Sequence, residues 1–149
     1  MKLTPKVAAQ PKWLFPPIER PTCTDTLKFP EDITKLSTQD VSRAHGQYQS
    51  LYAFAISQAS KADVAVLRAR SACMIQRANI ARTGHTYGKR KYDIDQLIRV
   101  DMKLQVLEQA LLEEEIKQTS YKSYVEIFDR YAAALSREIT RRTSELQRT

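Results

Sequence analysis

Seven basic side chains fall between Val64 and Tyr92 with no carboxylate among them: Arg68, Arg70, Arg77, Arg82, Lys89, Arg90 and Lys91. The chemistry open to such a set is the holding of anions. A solvated helix face usually mixes signs, whereas a run of one sign makes a field that attracts polyanions. The chain carries 24 Lys+Arg against 17 Asp+Glu, a net charge of +7. Setting the seven aside leaves 17 basic and 17 acidic residues, so the whole excess sits in this stretch. Nucleic acid is the commonest polyanion, and phosphate contacts would dominate its affinity. Tyr87 and Tyr92 flank Lys89-Arg90-Lys91 and are candidates to stack on unpaired bases, a mode tolerant of sequence. Packing within the fold is the other role open to them. A membrane surface, an acidic protein, or the Glu108 and Glu113-Glu114-Glu115 patch of a neighbouring copy are the alternative anions. No zinc-finger spacing or short helix-turn-helix is present, so backbone contacts with weak sequence preference are expected.

No catalytic constellation accompanies this cluster. His45 and His85 are far apart; the first falls on an apolar stripe, the second in the basic segment, where it adds charge at lower pH. Cys23 and Cys73 have no neighbouring base and form no CxxC. Glu113, Glu114 and Glu115 point in different directions around a helix and make no two-metal site by themselves. There is no Walker A motif and no GxGxxG. The expectation is a binding protein and not an enzyme, with no cofactor and no metal.

The elements that must present these residues are legible from proline and glycine. All six prolines lie at or before Pro30, which excludes a long helix there. Residues 1–36 are therefore expected to form an extended arm. In it Trp13, Leu14 and Phe15, followed by Pro16-Pro17-Ile18, form an apolar docking segment, either for the chain's own body or for a neighbouring subunit or other protein. Only 3 of 149 residues are glycine, which argues against a turn-rich all-β fold.

Ser37-Thr38-Gln39-Asp40 reads as a helix start. Val41, Tyr48, Tyr52, Ala55, Ala59, Ala62, Val66, Ala69, Cys73 and Ile80 then recur at helical spacing, predicting a helix over about 38–82. Thr83-Gly84 is its expected stop, followed by a basic loop at 83–92. Asp93 is expected to cap a second helix over about 93–147. Its heptad seam includes Leu97, Val100, Leu104, Leu107, Leu111, Tyr121, Val125, Phe128, Ala132, Leu135, Ile139 and Leu146. Glu114, Gln118 and Arg142 interrupt it, and a break is expected between Glu114 and Gln118 if anywhere.

The predicted fold is all-α: a long antiparallel, coiled-coil-like hairpin at 37–149 behind the arm. Leu51, Phe54, Ile56, Met74, Ile98, Ile116, Tyr124 and Ile127 fall off the main seams and need cover, from a homo-oligomer or from the arm.

A basic all-helical chain with a long helix ending in Arg/Lys-rich sequence and glycine, then a second long helix, resembles the UvsY-type recombination mediators of tailed phages. The likeness covers about residues 37–149. It includes Leu67-Arg68-Ala69-Arg70, similar to a basic-Ala-basic element that family uses on DNA, and the tail from Tyr131 to Arg142. The resemblance implies a ring-forming, ATP-independent phage accessory protein. Such a protein binds single-stranded DNA coated by a single-strand-binding protein and helps a RecA-like recombinase load in DNA recombination. The seven cations would hold phosphates. A structural or assembly protein of a phage particle, whose arm clamps a neighbouring subunit, is the alternative. No run approaches a transmembrane helix in length, no apolar signal region is visible, and cysteines are few. The cytoplasm is the expected compartment (the host's, if phage-encoded).

Overall fold

The computed structural model describes residues 28–148, and every regular element among them is helical. A 3₁₀ turn, Ile33–Lys35, precedes α1 (Thr38–Thr86), α2 (Lys91–Val100) and α3 (Met102–Leu146). Trp13, Leu14 and Phe15 lie outside the described residues.

Ser37 caps α1: its hydroxyl oxygen accepts from the Asp40 amide at 3.1 Å and donates to the Asp40 carboxylate at 2.6 Å. Alanines through the middle keep the α1 seam narrow. Val41, Ala55, Ala62, Val66 and Cys73 are buried along it. Leu51, which the spacing set off the seam, is buried as well.

α1 and α3 lie side by side in opposite directions. Arg142 meets Thr38, Lys122 meets Asp63, Glu115 meets Arg70 and Glu108 meets Arg77. At one end, Val41, Tyr48 and Leu51 of α1 pack with Ala132 and Leu135 of α3. Phe29, Ile33 and Leu36 lie against this core. Phe29 stacks on Tyr131 at a centroid distance of 4.1 Å and meets the edge of Tyr48 at 5.7 Å. Each large apolar side chain buried here stabilises the fold by about 1.5–3 kcal/mol. Leu104 anchors the seam at its other end. Between them Leu107, Leu111, Tyr121, Val125 and Phe128 are half-buried.

Three boundaries differ from the sequence expectation. Gly84 does not stop α1; the helix runs through it to Thr86. The stop is Gly88, with φ of 68°, where the Gly88 and Lys89 amides donate to the carbonyls of His85 and Gly84 at 3.0 Å. Gly84 instead makes room: a Cβ there would lie 2.7 Å from Ile94 Cγ1. Glycine thus lets α2 seat the buried Ile94 against α1.

Asp93 does not cap the second segment. Arg90 occupies the N-cap position of α2, without a side-chain capping bond, and Asp93 falls in the first turn. There its charge complements the helix dipole.

The break falls at Asp101 and not between Glu114 and Gln118. The Asp101 carboxylate accepts from the Leu104 amide at 2.6 Å, capping α3, and from Gln76 of α1 at 3.2 Å. The change of direction leaves Val100 64% exposed, off the seam on which its spacing placed it. Leu146, at the last position of that seam, is also exposed.

The polar interruptions do not break α3, and each finds a partner, Gln118 and Arg142 outside the helix and Glu114 within it. Gln118 donates to Asp63 of α1 at 2.7 Å. Glu114 pairs with Lys117 at 2.8 Å. Arg142 donates to the carbonyls of Ile33 and Thr34 at 3.2 Å.

Candidate nucleic-acid interface

The seven cations divide into two groups. Arg70 donates to Glu115 at 2.7 Å, and Arg77 to Glu108 at 2.5 Å. The acidic patch of the second half therefore lies within reach of the basic one in the same chain. Both pairs are partly exposed, and pairs of that kind contribute about 0.2–1 kcal/mol. Arg68 is exposed on α1, two residues before Arg70.

The second group sits where α1 turns into α2. Arg82 is exposed on the last turns of α1, and Lys89, Arg90 and Lys91 are exposed in the turn and at the start of α2. No described carboxylate forms an ion pair with these four. Asp93 and Asp95 follow on α2, so the field is positive at the turn and mixed beyond it.

The two tyrosines are not packed: Tyr87 is 76% exposed and Tyr92 72% exposed. An exposed phenol ring beside three cations can present its face to a planar group. The turn that carries them is held by the Gly88 conformation and by the amide of Lys89, so the cations emerge from a defined backbone and not from a slack loop.

Beside the turn lies an open pocket of about 520 Å³, between the end of α1 and the α2–α3 break. Tyr87 and Lys89 border it, and Val100 and Met102 form part of its wall. Periodicity did not indicate this pocket, because it exists only through the break at Asp101. The available signal was Asp101 itself, an acid three residues before the buried Leu104.

The described residues contain no group of three or more His, Cys, Asp or Glu placed to hold a metal ion. Cys73 is a free, buried thiol. None of the described helices is long and apolar enough to cross a membrane.

No family model, curated protein or solved structure matches this chain.

Proposed function

We propose that this chain is a non-enzymatic, self-associating nucleic-acid-binding accessory protein that holds single-stranded DNA at the α1–α2 turn. The observation that carries this is the turn itself: Arg82, Lys89, Arg90 and Lys91, without carboxylate partners among the described residues, beside two exposed tyrosines. Cations hold phosphates whatever the sequence, and aromatic faces take bases that are not already stacked in a duplex. Arg68, Arg70 and Arg77 add positive charge along α1, with Arg70 and Arg77 on the flank nearest α3 and Arg68 on about the opposite side. Phosphate competes for Arg70 and Arg77 at small cost, because their ion pairs are exposed.

The role in recombination, loading a RecA-like recombinase onto strands covered by a single-strand-binding protein, rests on the resemblance to the UvsY-type mediators. Self-association into a coiled-coil-like helical assembly rests on apolar side chains left exposed along both long helices. Leu67, Met74, Leu112 and Ile116 are each at least half exposed. Multiple copies would repeat the basic turn and add weak sites through avidity. The same exposed side chains favour a second reading, in which the chain is an assembly component of a phage particle and the basic turn faces an acidic protein.

The deciding measurement is fluorescence anisotropy of labelled single-stranded and duplex oligonucleotides across a salt series. The proposal expects tight single-strand binding that weakens steeply with salt. Absence of binding at low salt sinks it and leaves the assembly reading. The recombinase step is tested separately, by the rate at which a RecA-like protein displaces a single-strand-binding protein with and without this chain.

A further inference from the structure

We infer that the pocket beside the basic turn accepts one unstacked nucleobase of a bound single strand. This inference rests on the nucleic-acid reading above and deepens it.

The pocket's chemistry separates base from phosphate. Its walls are aliphatic side chains, Ile80 and Leu97 with the exposed Val100 and Met102 at the mouth. Tyr87 also lines it. Two charged groups belong to the lining: the carboxylate of Asp101, which already accepts from Leu104 and Gln76 and would repel a phosphate, and the ammonium of Lys89. A flat, largely apolar group bearing N–H donors suits the aliphatic walls and the Asp101 carboxylate, while Lys89 offers its charge to the adjoining phosphate.

The charge outside is positive. Lys89 belongs to the lining, and Arg90 and Lys91, next in the chain, do not. A strand running over them would have its phosphates neutralised outside and a base turned inward. The volume of about 520 Å³ falls within the range of small-ligand sites and exceeds what a single base fills, leaving space for its sugar. Duplex DNA would have to unpair to use the pocket, so the pocket confers single-strand preference beyond that of the cations.

The geometry depends on two features already described. Gly84 allows α2 to close on α1 through Ile94, and Asp101 turns the chain so that Val100 and Met102 face the opening instead of the seam. The occupant is distinguished from a second copy or a partner's apolar side chain by this charge arrangement.

The test compares a labelled single-stranded oligonucleotide with an abasic strand of equal length and charge, using the full chain. Wild type should bind the base-bearing strand about tenfold or more tightly than the abasic one. The double variant Val100→Asn, Met102→Asn changes two exposed positions without changing charge. It should remove most of the preference for the base-bearing strand and leave abasic binding unchanged. Charge reversal at Lys89 and Arg90 should weaken both strands. Equal wild-type affinity for the two strands overturns the pocket assignment while nucleic-acid binding stands. Absence of binding to either overturns the functional reading itself. If the double variant retains the preference and Tyr92→Ala loses it, bases stack outside and the pocket assignment is wrong. If the double variant alters only the oligomer mass, the pocket holds a second copy and the assignment is likewise wrong.

Discussion

Arg142 Nε lies 2.6 Å from Glu138 Oε1, one helical turn earlier on α3, while the same guanidinium reaches the carbonyls of Ile33 and Thr34 at 3.2 Å. Arg141 donates to Glu138 as well, at 2.7 and 2.8 Å. The carboxylate is thus a hub that fixes the arginine on which the 3₁₀ turn rests.

The first prediction concerns acid stability. The bonds from Arg141 and then Arg142 hold the Glu138 carboxyl down at about 2, against an ordinary 4.5. A depressed carboxyl stabilises the fold above its unfolded value and ceases to do so as pH falls through its folded one. The stabilisation is therefore complete above about pH 4.5 and lost toward pH 2. Thermal unfolding as a function of pH should show Glu138→Gln several degrees less stable near neutrality, with the difference from wild type vanishing at the acid end. A constant offset at every pH would refute the assignment.

The two helical glycines should respond with opposite signs. Gly46 has nothing within 4 Å of an added Cβ, so Gly46→Ala should gain about 0.8–1 kcal/mol from helix propensity. Gly84→Ala should lose about 1–3 kcal/mol, because its Cβ would meet Ile94 at 2.7 Å. Denaturant unfolding measures both. Hydrogen exchange should locate the loss in α2.

Asp101→Ala removes the side-chain cap of α3 and the Gln76 bond together. Loss of a cap costs about 0.5–2 kcal/mol. Amide exchange at the start of α3 should accelerate while the Val41–Leu135 core remains protected. Uniform acceleration would mean that the whole fold depends on this corner.

Neutralising Lys89, Arg90 and Lys91 should reduce the slope of log affinity against log salt by about 0.7 per charge for a single strand. Glu108→Gln with Glu115→Gln should do the opposite of damage. It frees Arg77 and Arg70, and should raise affinity by up to about fivefold for each pair released. Anisotropy at two salt concentrations reads both effects. No change in the second variant would place Arg70 and Arg77 away from the bound strand.

Helical periodicity makes the long elements legible, since burial of Val41, Tyr48, Val66, Leu104 and Leu135 follows directly from their spacing. The charge segregation was equally plain. Turn chemistry was not. Two glycines stand four residues apart, and composition does not say which needs a positive φ and which a close neighbour. The α2–α3 break was hidden because Leu97, Val100 and Leu104 keep heptad spacing across it, while the polar residues at Glu114 and Gln118 suggested a break where α3 runs on, Gln118 bonded to Asp63 of α1 and Glu114 to Lys117 of its own helix. Charge counting likewise placed seven cations in one set. Only the antiparallel pairing brings Glu108 and Glu115 onto two of them.

The pairing also separates the two ends of the molecule. Phe29 leads into the fold beside Tyr48 and Tyr131, whereas Tyr87 and the basic turn lie at the far end of α1. Tyr48 and Tyr87 are on the order of 60 Å apart along the helix axis, at 1.5 Å per residue. The two ends are therefore held apart by the length of α1. A ligand held at the turn would be kept at that distance from the point where Phe29 enters the fold. Inserting or deleting whole turns in both α1 and α3 would change that distance without changing either end.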